Sequence, residues 1–282
     1  MTFIDWERER ASCFVLCVVG MCGVTQLHDV VYMIASTSCS TIVRFNATTH
    51  ERLASIDVWH KGLTYPEDIV ACEQTSHLYV ADVQSVVRLS ADGDTAVMLR
   101  LTQSPSDAFS PTSLSVTSTR LLVTSVDTKQ LIQFESLGDT LRRRRVQLPY
   151  NMEPRHAVES PTGTFIVSHS DTRLEQINTM AHHLISEVNT DGQVLRQFIG
   201  SRLSSLSQTR HIAIDSHGNV FVADHDNDHI LLLNTQLKLR RVIIDEQQLN
   251  YQRPWRLCYR ESTGQLLVGL KDNVAVFDVL CR

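Results

Sequence analysis

GSRLSSLSQTRHIAIDSHGNVFVADHDNDHILLLN, residues 200–234, decides how this chain folds. Two apolar runs, HIAID (211–215) and VFVAD (220–224), flank a turn that contains Gly218 and Asn219. A polar loop leads to a third run, HILLLN (229–234), and a fourth follows as LRRVII (239–244). Short runs rich in Val, Ile, Leu and Phe, separated by turn residues, are strands and not helices. Gly and Asn accept the positive φ that a tight hairpin requires. The stretch is thus a four-stranded antiparallel unit, a-b-c-d, with d outermost.

The unit recurs along the whole chain. Its second strand returns as YMIA ending at Ala35, LYVA at Ala81, LLVT at Thr124, FIVS at Ser168 and LLVG at Gly269. Its third returns as IVRFN around Phe45, VVRLS at Leu89, LIQFE at Phe134, ISEVN at Val188 and VAVFD at Phe277. The third-strand anchors Phe45, Leu89, Phe134, Val188, Leu233 and Phe277 are spaced 44–45 residues apart, save one interval about ten longer. Six units of that period predict an all-β, closed six-bladed propeller. Unit six ends at Arg282 without a d strand, while a spare apolar run, residues 13–19, precedes unit one. Pairing that run as the missing outer strand closes the ring and removes open sheet edges. Residues 1–11 are expected to be a loosely ordered tail and 12–282 a single domain.

Composition agrees with a globular domain. Hydrophobic residues are 43%, charged residues 20% and the net charge is -5, which argues against wholesale nucleic-acid binding. Seven cysteines without dense spacing form neither a disulfide framework nor a CxxC zinc site, and most read as small buried hydrophobes. The apolar run 14–24 is too short to span a bilayer. Asp5, Glu7 and Glu9 dilute the charge of a secretory leader, so a cytoplasmic location is expected, with secretion as the lesser reading. Only in that lesser reading does the sequon Asn46-Ala47-Thr48 matter.

At unit five the sequence resembles the NHL-repeat family, in Gly200, Gly218-Asn219, Ala223-Asp224 and Asn227. Unit two keeps Pro66, Ala81 and Asp82, whereas Ser36, Ser125, His169 and Leu270 replace Asp224 in the other units. The resemblance implies a six-bladed propeller whose upper face binds partners. Members of the family recognise proteins or RNA, a few are lyases or esterases, and many attach the propeller to a ubiquitin-ligase module. No cysteine-histidine ring motif is present here, so ligase activity would have to come from a partner or a longer chain.

Candidate sites follow from the repeat. The d-to-a and b-to-c loops gather on one face, the upper face. Arg155, Arg210 and Arg256, with Trp255, are placed at one rim of the channel mouth, beside His156 and His211. Guanidinium groups with an aromatic suit an anionic or peptide ligand. The extra residues of unit four fall in a loop within 170–184, where Arg173, His182 and His183 are expected to be exposed. Arg142, Arg143, Arg144 and Arg145 occupy the outer d strand of unit three. Alternation prevents one flat patch, so they are expected to discourage edge pairing, with a basic rim as the other reading.

His156 and His211 share their repeat position with Gly23, Asp68, Ser113 and Arg256. Two histidines, one distant carboxylate and an arginine make a poor metal cage, so no metal and no cofactor is expected. The sequence contains no GxSxG, HExxH, phosphate loop or GxGxxG. The expected function is a non-enzymatic, monomeric scaffold that recognises a protein or peptide and does not engage membrane. Single-stranded RNA binding by the same face and a channel-centred hydrolase or lyase are the alternatives.

Overall fold

The computed structural model describes residues 12–14, 21–35, 41–99, 101, 109–117, 120–135, 142–173, 183–199, 209–271 and 273–279. The strands, in chain order, form a six-bladed propeller of four-stranded antiparallel sheets. Strand β1 (Ser12–Phe14) opens the chain. Blade 1 is β2 (Met21–Leu27), β3 (Val30–Ala35), β4 (Thr41–Asn46) and β5 (Arg52–Asp57). Blade 2 is β6 (Asp68–Cys72), β7 (His77–Asp82), β8 (Ser85–Ser90) and β9 (Ala96–Leu99). Blade 3 is β10 (Ser113–Val116), β11 (Arg120–Ser125), β12 (Gln130–Glu135) and β13 (Arg142–Gln147). Blade 4 is β14 (Met152–Glu159), β15 (Phe165–Asp171), β16 (His183–Val188) and β17 (Val194–Ile199). Blade 5 is β18 (Thr209–Ile214), β19 (Val220–Asp224), β20 (His229–Leu233) and β21 (Leu239–Ile244). Blade 6 takes β22 (Arg256–Arg260), β23 (Gln265–Gly269) and β24 (Val274–Asp278) from the end of the chain.

Ring closure follows the repeat logic. Blade 6 has three strands of its own, and β1 pairs antiparallel with β24 in the register Ser12↔Val276, Cys13↔Ala275, Phe14↔Val274. The rest of the spare run, 15–20, and the tail 1–11 lie outside the described residues.

The core is not one mass but a series of slabs between neighbouring blades. Ile34, Ile42 and Ile56 of blade 1 meet Leu78, Val80 and Leu89 of blade 2. At the closure, Met33, Val43 and Phe45 of blade 1 meet Leu267 and Val274 of blade 6. Each fully buried side chain of this kind contributes about 1.5–3 kcal/mol relative to exposure. Burial on both faces explains why the b and c strands lack a polar alternation: β7, for example, is buried from Leu78 to Asp82. The outer strands are mostly exposed, and β13 buries Val146 while Arg142, Arg144 and Arg145 are exposed. Between the c and d strands, Gly192 has φ +83°, and a Cβ there would lie 2.0 Å from the carbonyl oxygen of Gln147. Among the described residues no helix is long and apolar enough to cross a membrane.

Candidate functional site

The innermost strands β2, β6, β10, β14, β18 and β22 surround the central channel. At one level, near the upper mouth, stand the equivalent residues Gly23, Asp68, Ser113, His156, His211 and Arg256. Most of them reach across to the main chain of the next blade. Asp68 Oδ2 accepts the Leu114 N–H of blade 3 at 2.9 Å. His156 Nδ1 accepts the Ile212 N–H of blade 5 at 3.4 Å, and His211 Nδ1 accepts the Leu257 N–H of blade 6 at 3.3 Å. Arg256 closes the circuit, donating from Nε to the Cys22 carbonyl of blade 1 and from Nη2 to the Glu67 carbonyl at 3.1 Å. At Gly23 no side chain fits, because a Cβ would lie 2.8 Å from Ile69 N. One level lower, Thr25 Oγ1 repeats the device by accepting the Ala71 N–H at 3.1 Å.

This bonding fixes the protonation of the histidines. His156 Nε2–H donates to the Leu114 carbonyl at 3.0 Å while Nδ1 accepts, so the ring is neutral. The two imidazoles stack with centroids 3.6 Å apart, and both are buried. Burial, then the neighbouring His211 ring, hold the His156 pKa well below the usual range. Burial, then the Arg256 charge, do the same for His211. Burial raises the Asp68 carboxyl, and the Arg256 guanidinium 3.5 Å away opposes that rise.

Several sequence expectations need correction here. Asp68 is not distant from the histidines: its Oδ2 lies 3.9 Å from His211 Nε2, and Asp68, His156 and His211 bring ligand-type atoms within 4.8 Å of one another. The residues nonetheless fit a resident metal poorly. His156 has both nitrogens engaged, Asp68 holds the Leu114 and Ile69 N–H groups, and Arg256 adds a positive charge. His156 and His211, expected on the binding rim, are 1% and 6% exposed, because the ring closes over them. Arg256, expected at the same rim, points into the inter-blade seam with its side chain 14% exposed. His183, expected in an exposed loop, is instead the first residue of β16 and 7% exposed.

The other candidates stay near the upper face. Arg155 is half-buried, with Nη2 3.7 Å from Glu153 Oε2. Trp255 is half-buried and meets the His225 ring edge-on at 4.6 Å. Arg173 is exposed and ion-paired to Asp171 at 3.0 Å. Arg210 contributes main chain to β18, but its side chain, like His182, lies outside the described residues. On the outer edge, Arg143 Nη1 donates to the Leu101 carbonyl at 3.0 Å, and Arg144 stands 3.6 Å from Asp191.

The sequence reading missed a set of aromatics. Among the described residues, Trp59, Tyr65, Tyr150 and Tyr251 are the strongly exposed aromatic side chains, at 57–75%. All four sit in d-to-a connections, on the upper face. The signal was available: Tyr65 precedes Pro66 and Tyr150 follows Pro149, aromatics in polar connecting segments where no core demands them. Their loops are firmly held. Asp82 accepts the N–H groups of Thr64 at 3.1 Å and Tyr65 at 2.6 Å, and the Lys129 ammonium bonds the Tyr150 carbonyl.

Below the His156–His211 level the channel widens into a cavity of about 470 Å³ bounded by all six innermost strands. It runs toward the a-to-b turns and so opens on the lower face.

No family model matches the sequence, and no curated protein does. Solved structures match in fold. A streptogramin B lyase has 10% identity and a TM-score of 0.62, with 95% of this chain and 96% of that one covered. A hydrazine synthase of Kuenenia stuttgartiensis has 11% identity and a TM-score of 0.60, covering 98% and 99%. A virginiamycin B lyase from Staphylococcus aureus has 10% identity and a TM-score of 0.60, covering 94% and 86%. At such identities the likeness is one of architecture, and it makes this chain a six-bladed β-propeller.

Proposed function

We propose that the protein is a non-enzymatic scaffold, an NHL-type propeller, that recognises a protein or peptide segment on its upper face. The observation that carries this reading is the placement of Trp59, Tyr65, Tyr150 and Tyr251 on the d-to-a loops of that one face. Exposed Tyr and Trp on rigid loops are costly to leave in water, and they dominate the energetics of protein interfaces. Arg155, on β14, and Arg173, just after β15, stand on the same face and supply directional donors.

The alternatives find less support. RNA recognition relied on Arg256, whose guanidinium is taken up by main-chain carbonyls. A channel hydrolase or lyase would need an accessible imidazole to move protons, whereas both His156 nitrogens are engaged and His211 is 6% exposed with its Nδ1 engaged. Substrate recognition for ubiquitin ligation is one use of such a face, given a ligase module supplied from elsewhere.

Affinity capture with mass spectrometry tests the proposal, comparing the native chain with a Tyr65→Ala/Tyr150→Ala/Tyr251→Ala variant. The expected result is a set of proteins retained by the native chain and lost by the variant, insensitive to ribonuclease. An unchanged set refutes the upper face, and loss on ribonuclease treatment transfers the assignment to RNA.

A further inference from the structure

We propose a second binding site: the central channel takes a small monocarboxylate with an apolar body, entering from the lower face and pairing with Arg260. At about 470 Å³ the cavity falls within the range of small-molecule pockets, roughly 300–1,000 Å³. The stacked histidines close its upper end. Its walls present Val70, Val116, Ile214 and Tyr259, each half-exposed to the space. Higher in the throat, Thr25 Oγ1 is already engaged, holding the Ala71 N–H and facing Cys258 Sγ at 4.0 Å. The throat thus suits an apolar body.

Arg260, near the lower mouth, selects the sign of the ligand's charge. Its Nε is buried and has no hydrogen-bond partner. Its Nη2 makes one long contact, 3.5 Å, to the His28 carbonyl. Among the described residues no carboxylate lies within 4.0 Å of it. The acids that border the cavity do not neutralise it. Glu159 is held by Arg120 and by Gln133 Nε2 at 3.1 Å. Glu261 accepts the N–H of Ser216 at 2.9 Å and its hydroxyl at 2.5 Å. Glu73 is exposed at the lip, where water screens it. The half-buried Arg260 borders both this cavity and the lower-face groove that Asp29 and Asp278 also line, is ion-paired to no carboxylate among the described residues, and has a planar fork that matches a carboxylate. A bound carboxylate would meet that charge at the accessible Nη edge of the guanidinium.

Calorimetric titration of the full chain with octanoate, octanamide and octylammonium tests this. Octanoate should bind saturably and octanamide at least about tenfold more weakly, the scale of a charge-assisted hydrogen bond. Arg260→Gln should weaken octanoate roughly 10- to 100-fold while leaving octanamide unchanged, with circular dichroism reporting the fold. If that variant does not fold, Ser115→Phe, which narrows the throat from a half-exposed cavity-lining position, should abolish octanoate binding. Absence of saturable octanoate binding at millimolar concentration overturns the proposal. Equal affinity for all three probes, or an Arg260→Gln chain that binds octanoate normally, also overturns it. Tighter binding of octylammonium overturns it as well, in favour of the acidic lip. None of these outcomes depends on the upper face.

Discussion

Acid should loosen the ring through its stacked histidines. His156 and His211 are neutral in the folded chain, each lending Nδ1 to the next blade, and burial holds both pKa values well below the usual range. In the unfolded chain each titrates near its ordinary value, about 6.5. Below that value the unfolded state binds protons that the folded state refuses, so stability is complete above it and falls as pH drops toward the depressed folded values. Each proton refused costs about 1.4 kcal/mol per pH unit. Between about pH 7.5 and about pH 5.5 the pair together removes roughly 3 kcal/mol. Asp68 beside them works the other way, because its raised pKa makes the folded state the better proton acceptor at lower pH. The Arg256 charge opposes protonation of either ring. The assay is urea unfolding across that pH range for the native chain and for His156→Gln/His211→Gln, whose amides accept the same N–H groups without titrating. The chain's other histidines titrate in both proteins, so the difference between the two pH profiles isolates the pair. The native chain should lose about 3 kcal/mol more than the variant. Parallel profiles would refute the assignment of these rings as neutral inter-blade links.

Arg256→Met should destabilise the fold by roughly 3–5 kcal/mol, since it strips Asp68 of its nearest cation and two carbonyls of their donor, and thermal unfolding would show it. Gly23→Ala should cost about 1–3 kcal/mol by overpacking against Ile69 N, measured the same way; a neutral result would mean that blades 1 and 2 separate freely. Deleting residues 1–14 should lower the melting temperature and promote association, because β24 then presents an open edge, which light scattering detects. Arg144→Ala should change stability by less than about 0.5 kcal/mol, as its contact with Asp191 is long and solvent-exposed.

The sequence by itself determined the architecture: six repeats, the order of strands in each, and a last blade completed from the other end of the chain. Periodicity and turn chemistry are local, so VFVAD, ILLLN and Gly218-Asn219 announce themselves without reference to the rest of the chain. The same reading brought Asp68, His156, His211 and Arg256 to one level of the channel. What only tertiary structure decided is what those side chains do there. Whether His156 meets solvent or the Ile212 N–H depends on how closely blades 4 and 5 approach, and that distance follows from the packing of whole blades, not from residues near His156 in the chain. The same holds for Arg256, turned inward because blade 1, more than two hundred residues away in sequence, offers the Cys22 carbonyl. Exposure of Tyr65, Tyr150 and Tyr251, and the orphaned Nε of Arg260, likewise emerge only when the ring closes. Burial is a property of the assembled surface, and no single repeat contains it.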